Sequence, residues 1–255
     1  MNMKDNIAVV TGGASGLGEA CVRNLVKNGA KVSIFDFAEE RAGKICSELK
    51  DAVLFCKTDV TDEKAVQAAV DRTIDSFGKI NITINCAGIP SSTKVISKEG
   101  PMAIAHFNQV IQINLVGTMN AIRLTVEKML RNTSNEDGEK GVIINTASGA
   151  AFEGQIGQAA YSASKAGVVG MTLPIARELA THGIRVVTIA PGLFETPMMA
   201  GLPEKAREGL KKMMIFPWRP GKPFEFALLV QQIIENPMLN GCTIRLDGAL
   251  RMTGK

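Results

Sequence analysis

The feature that most constrains this chain is an alternation. Short runs of Val and Ile recur from one end to the other, separated by longer amphipathic stretches. The apolar runs lie at 7–10, 31–36, 52–59, 82–85, 142–147, 185–190 and 242–247. Helical periodicity occupies about 17–28, 39–50, 62–77, 101–130, 158–181 and 224–235. The runs are near-continuous rather than alternating, which is how strands covered on both faces read. Strand–helix alternation throughout specifies an α/β fold, a doubly wound parallel seven-stranded sheet, with residues 1–255 forming a single domain. No linker, internal repeat or low-complexity segment interrupts it. Residues 89–100 and the polar stretch 131–141 read as surface excursions, and 193–222 is rich in Met, Pro and Phe with broken helix signals.

Several function classes are disfavoured by composition. The net charge is +4, and the charges are spread along the chain without a block of one sign, so no nucleic-acid partner is expected. Five cysteines are scattered with no CxxC pair, and His106 and His182 are the only histidines, so no metal site is expected. An odd, scattered cysteine set suits free thiols in a reducing compartment. The opening MNMKDNIAVV enters an apolar run at once, and no run of roughly 18 or more apolar residues occurs. The expectation is a cytoplasmic protein with no membrane partner.

The first apolar run leads into Thr11-Gly12-Gly13-Ala14-Ser15-Gly16-Leu17-Gly18 and then a helix. Small residues let the backbone turn tightly and approach a pyrophosphate, and the helix N-terminus supplies free N–H donors. Gly12, Gly16 and Gly18, with Ser15 and Leu17 between them, are therefore candidate cofactor contacts in a Rossmann-type sheet. Asp36 ends the second run, 20 residues beyond Gly16. A carboxylate there can accept both adenosine ribose hydroxyls and repels a 2′-phosphate, which points to NAD; Arg41 is the one nearby cation that qualifies this. Asp59 and Val60, after the third run, either face the adenine or belong to the cap of the following helix.

Tyr161 and Lys165 stand four apart in a helical stretch and so share a face. A tyrosine near pKa ~10 is a poor base at neutral pH. A neighbouring ammonium favours its phenolate, and the pair can then move a proton to or from an alcohol oxygen. Ser148 ends the fifth run, at the carboxyl end of a strand, where open α/β sheets place their ligands. Its hydroxyl can hold a substrate oxygen.

The ordered set of the 11–18 loop, Asn85-Cys86-Ala87-Gly88, Asn114, Ser148, Tyr161/Lys165 and Pro191-Gly192 resembles the short-chain dehydrogenase/reductase family along essentially the whole chain. The resemblance implies that Tyr161 is the acid/base and that Lys165 lowers its pKa and holds the nicotinamide ribose. It also implies that Ser148 orients the substrate oxygen and that Asn114 holds a water relaying protons to Lys165. Cys86, Ala87, Gly88, Pro191, Phe194 and Thr196 become cofactor contacts. Cys86 stands where the family often has a second Asn.

Three further stretches, 151–161, 189–194 and 244–252, resemble the type 2 3-hydroxyacyl-CoA dehydrogenases, the subgroup of the type 10 17β-hydroxysteroid dehydrogenases. That implies oxidation of a 3-hydroxyacyl-CoA at C3, a substrate contact from Gln155 near the thioester, and a homotetramer. A carrier-protein reductase, another secondary-alcohol dehydrogenase, and a dinucleotide-binding scaffold without catalysis are the alternatives. Met198, Met199, Leu202, Met213, Met214, Ile215, Phe216 and Trp218 form either an apolar lid over an acyl chain or a helix pair at a subunit contact. Lys205, Arg207, Lys211 and Lys212 either meet CoA phosphates or are solvated.

Overall fold

A computed structural model describes residues 1–201 and 204–254. Leu202 lies outside the described residues, as does the side chain of Lys205. In chain order the elements are β1 (Ile7–Thr11), α1 (Gly16–Lys27), β2 (Lys31–Asp36), α2 (Glu39–Leu49), β3 (Val53–Lys57), α3 (Glu63–Phe77) and β4 (Ile82–Asn85). A small hairpin, β5 (Ile96–Ser97) and β6 (Gly100–Pro101), precedes α4 (Ile104–Ile111) and α5 (Gly117–Met129). Then come β7 (Gly141–Thr146), α6 (Ala159–Leu179), β8 (Ile184–Pro191), α7 (Pro197–Ala200), α8 (Glu204–Lys212), α9 (Pro223–Glu235) and β9 (Thr243–Leu246).

Among the described residues seven strands form one parallel sheet in the order β3-β2-β1-β4-β7-β8-β9. Every residue of β1, β4 and β8 is buried, as expected of strands covered on both sides. Successive side chains feed opposite layers. Ala8, Val10, Ile144 and Val187 pack with Val22 and Leu25 of α1 and Phe226 and Val230 of α9. Val9, Ile143 and Val186 pack with Val70 of α3, Ile122 and Met129 of α5 and Leu179 of α6. The expected doubly wound sheet is the one present. Its order reverses between β1 and β4, so the crevice for a ligand opens at their carboxyl ends.

Three local features depart from the sequence reading. The 89–100 excursion contains one strand of a hairpin. The segment 193–222, whose helix signals are broken, contains α7 and α8. The single helix expected over 101–130 is instead α4 and α5 joined by a π turn, Gln112–Val116, in helical dihedrals throughout. A π turn inserts one extra residue into the hydrogen-bond ladder and re-aims the side chains beside it. Asn114, fully buried, sits in this turn.

Candidate active site

A cavity of about 490 Å³ opens along the carboxyl ends of β1, β2, β4, β7 and β8. At one end it is walled by Gly12, Ser15, Gly16, Leu17 and Gly18. A Cβ on Gly12, which has φ +64°, would stand 2.7 Å from the Ala87 nitrogen; one on Gly18 would collide with the Gly12 carbonyl. Only glycine lets this loop fold so tightly against the start of α1. Ser15, the N-cap residue, makes no side-chain bond to the helix, so the first-turn N–H groups keep their capacity for an anion.

Asp36 is buried at the rim of this end. Its Oδ2 accepts from the Ala14 nitrogen and its Oδ1 from the Ala38 nitrogen, both at 3.0 Å. A carboxylate oxygen has further lone pairs, so both remain able to accept from ribose hydroxyls. Arg41 and the exposed ring of Phe37 line the same rim. Asp59 and Val60 also line the cavity. The helix cap is neither of them: Asp62 caps α3, accepting from the nitrogens of Lys64 and Ala65, while Asp59 closes a turn onto Thr61.

The floor is Cys86, Ala87 and Gly88, after β4. A buried polar row fixes it. Asn85 Nδ2 donates to Asn145 Oδ1 at 2.9 Å, Thr11 Oγ1 donates to Asn85 Oδ1 at 3.4 Å, and the Ala87 nitrogen donates to Thr11 Oγ1 at 3.2 Å. The Cys86 thiol touches Thr146 Oγ1 at 3.5 Å. The far wall holds Pro191, Phe194 and Thr196. Phe194 is buried edge-to-face against Phe226, and Thr196 caps α7 by accepting from the Met199 nitrogen.

Ser148, Tyr161 and Lys165 meet at the middle of the cavity. Ser148, extended at the end of β7, caps the short turn Gly149–Ala151 by accepting from the Ala150 nitrogen, and its hydroxyl lies beside that of Tyr161. Tyr161 lies in the first turn of α6 and Lys165 one turn later, its Nζ donating to the Thr146 carbonyl at 2.8 Å. Burial brings the Lys165 ammonium down to about 8. Burial likewise pushes the Tyr161 phenol up, against the opposing bond from Ser148. The Lys165 Nζ stands 5.8 Å from the Tyr161 ring centroid and is held by the Thr146 carbonyl.

Two other sequence-predicted residues are tied to protein groups. The Asn114 side chain is held by protein: Oδ1 accepts from the Ile89 nitrogen, and Nδ2 donates to the Ile89 carbonyl and to Ser164 Oγ. It clamps the segment after Gly88 to α6. Gln155 stands outside the cavity lining, its Nε2 donating to the Thr253 carbonyl. Of the Met/Phe segment, Met198 lines the cavity and Met199 and Met214 are buried, whereas Ile215, Phe216 and Trp218 are exposed. Arg207 pairs with Glu204. Thr146, whose carbonyl and hydroxyl both serve the site, gave no sequence signal beyond its place at a strand end.

Comparison with known proteins agrees with this geometry. A family described as short chain dehydrogenase matches residues 6–207. The chain is 55% identical over 252 residues, 98% of its length and 99% of the relative's, to 3-hydroxyacyl-CoA dehydrogenase type-2 of Drosophila melanogaster. It is 51% identical over 253 residues, 98% of its length and 97% of the relative's, to the Homo sapiens protein of the same name. The crystal structure of 3-hydroxyacyl-CoA dehydrogenase type-2 from Mycobacterium avium superposes with a TM-score of 0.92 at 38% identity, covering 100% of both chains.

Proposed function

The chain belongs to the short chain dehydrogenase family, and on that premise we propose that it oxidises the C3 hydroxyl of a 3-hydroxyacyl-CoA, with NAD as hydride acceptor. One observation carries the reading. A single cavity joins a glycine loop and a ribose-accepting carboxylate at one end to the Ser148, Tyr161 and Lys165 cluster at its middle. The 55% identity to an acyl-CoA dehydrogenase over nearly the whole chain supports the substrate class.

The residues fit a nicotinamide dinucleotide. Gly12, Gly16 and Gly18 with the first turn of α1 would hold its pyrophosphate, Asp36 its adenosine ribose, and Lys165 with the floor at 86–88 its nicotinamide side. When bound, the nicotinamide ring accepts the hydride from C3. Ser148 Oγ holds the substrate oxygen, and Tyr161 removes its proton. Lys165, fixed by Thr146, keeps a positive charge below pH about 8 and favours the tyrosinate. Asn114 keeps Gly88 and α6 in register, since a side chain at Gly88 would meet Asn114 Oδ1 at 3.1 Å and Lys165 Nζ at 3.5 Å.

NAD is preferred over NADP because a 2′-phosphate would meet the buried Asp36 carboxylate. The acyl chain runs past Met198, and the CoA nucleotide projects outward toward Lys211 and Lys212 in the last turn of α8. A homotetramer is supported by exposed apolar side chains on neighbouring helices: Ile104 of α4, Met119 of α5 and Leu173 of α6. Five unpaired thiols support a reducing compartment, and we place the protein in the cytoplasm. Among the described residues no helix is long and apolar enough to cross a membrane.

The test is a panel of 3-hydroxybutyryl-CoA, longer 3-hydroxyacyl-CoAs, the free acid and a hydroxysteroid, each with NAD and with NADP. The expected result is the highest kcat/KM for an acyl-CoA with NAD. A steroid efficiency above that of every acyl-CoA overturns the substrate, and equal efficiency with NADP overturns the cofactor preference.

A further inference from the structure

The connection between Ser148 and Tyr161 passes through Glu153, and Glu153 is gripped from the far edge of the sheet. Arg245, on β9, donates from Nη1 to Glu153 Oε1 and from Nη2 to Oε2, each at 2.7 Å. The same guanidinium donates from Nε to Asp247 Oδ2 at 2.6 Å and from Nη2 to the Leu250 carbonyl at 3.3 Å. It lies 5.1 Å from the centre of the Phe152 ring. Arg251 completes the set, reaching Asp247 Oδ2 at 2.9 Å and Glu153 Oε1 at 3.5 Å. Two cations thus face two carboxylates.

This cluster borders the reacting groups without joining them. A Cβ on Gly149, the residue after Ser148, would stand 3.8 Å from Arg245 Nη2, and one on Gly192, in the cavity wall, 2.8 Å from Asp247 Cβ. Beyond Leu250 the chain lies along the gripped segment: the Ile156 nitrogen donates to the Gly254 carbonyl and Gln155 Nε2 to the Thr253 carbonyl, both at 3.3 Å. Arg245 therefore ties together β9, residues 152–156 and the tail after Leu250. Its planar fork is what makes this possible; a lysine ammonium cannot serve both Glu153 oxygens and Asp247 in fixed directions.

We propose that Arg245 is a positioning residue for the substrate half of the site, holding through Glu153 and Leu250 the Ser148–Tyr161 connection and the tail against it, and so setting substrate affinity without touching the cofactor. It rests on the reading of Ser148 and Tyr161 as the substrate side. Ser148 is anchored by β7 and Tyr161 by α6, so release of the connection leaves both hydroxyls in place. What is lost is order in the wall between them, which substrate must then restore on binding.

Arg245→Met and Arg245→Lys test this, with Glu153→Gln as a second approach should Arg245→Met fold poorly. Amide hydrogen exchange of the cofactor-free protein is read at 149–157 and 250–254, and for reference at 12–18 and 85–88. Steady-state kinetics are run with alcohol substrate and NAD varied separately. The expected result for Arg245→Met is faster exchange in the first two segments alone, with substrate KM raised about tenfold, kcat lowered less, and the KM for NAD within about twofold. Arg245→Lys should recover part of the loss. Exchange that rises equally in all four segments, exchange unchanged at 149–157, or substrate and NAD KM rising together overturns the proposal, as does faster exchange with unchanged substrate KM. The exchange result does not depend on substrate identity. If the unmodified enzyme turns over no 3-hydroxyacyl-CoA, the substrate reading fails separately, and the kinetics are read on whichever alcohol it does oxidise.

Discussion

At the cofactor end of the cavity most contacts are made by backbone or by side chains one or two residues from a strand end; at the substrate end they are made by side chains that reach across the chain. Gly12 and Gly18 are fixed by the atoms a Cβ would strike, and Asp36 accepts from two backbone nitrogens. On the substrate side, Glu153 is held by Arg245, 92 positions away, and His106 bonds through its ring to the Ser91 and Thr93 hydroxyls. Backbone sterics tolerate few residue types. A side-chain pair can be replaced by another pair, so the second end of the cavity can vary while the first cannot.

Tyr161 stands where the two ends meet and should show the largest effect. Tyr161→Phe removes the hydroxyl and keeps the ring, which should cost about 10²–10⁴ in turnover. NAD affinity should be unchanged, since neither the glycine loop nor Asp36 touches that hydroxyl. In the intact enzyme the oxidation rate should rise with pH as Tyr161 loses its proton, and the reverse reduction should fall. The Tyr161→Phe residual rate should lose both slopes. Near-normal turnover with chemistry rate-limiting would remove Tyr161 from the reaction and leave the comparison without its hinge.

A smaller effect tests the rigid end. Gly18→Ala adds one carbon, placed against the Gly12 carbonyl. The loop must shift, and an overpacked contact of this kind costs about 1–3 kcal/mol. Titration calorimetry should find NAD affinity reduced by about tenfold or more, with kcat at saturating NAD much less affected. Affinity within twofold of the parent would show that the loop yields, and the contrast between the two ends would then be one of degree.

The same contrast decides how much was legible in the sequence. The sheet could be read because strands buried on both faces must be near-continuous Val and Ile, and Gly12, Gly16 and Gly18 because no other residue fits their backbone. Tyr161 and Lys165 could be read because helix geometry converts a spacing of four into a shared face. The π turn at Gln112–Val116 left no mark, because one extra residue in a long amphipathic helix changes neither composition nor periodicity enough to see. The bonds of Asn114, which sits in that turn, to Ile89 and Ser164 were equally hidden. Arg245 and Glu153 are ordinary charged residues in the sequence; only the sheet order places β9 one strand beyond β7, which ends near Ser148, with β8 between them. The bounds of α7 and α8 could not be read, and a helix pair stood only as one of two alternatives, because Pro and Gly break the periodicity of 193–222, whereas Thr196 and Pro197 start α7 with a capping hydroxyl and a first-turn proline.

The smallest expected effect belongs to Met198, the residue of the Met/Phe segment that lines the cavity. It is 44% exposed, so the rest of its surface is what an acyl chain can use. Met198→Ala removes an apolar, adaptable side chain at a place where about 0.8 kcal/mol accompanies each buried methylene. Because only part of the side chain faces the cavity, the loss should amount to about one such group, a three- to fivefold rise in KM. That rise should appear for longer 3-hydroxyacyl-CoAs and vanish for 3-hydroxybutyryl-CoA, whose short chain ends before it meets the segment. The KM for NAD should stay within about twofold. Measured across a chain-length series, the parent should gain affinity steadily with each added methylene, and the variant should gain less from the point at which the chain reaches residue 198. An equal rise in KM for every chain length, the shortest included, would mean that Met198 shapes the reacting end rather than the tail, and would move the acyl path off the 198–218 segment.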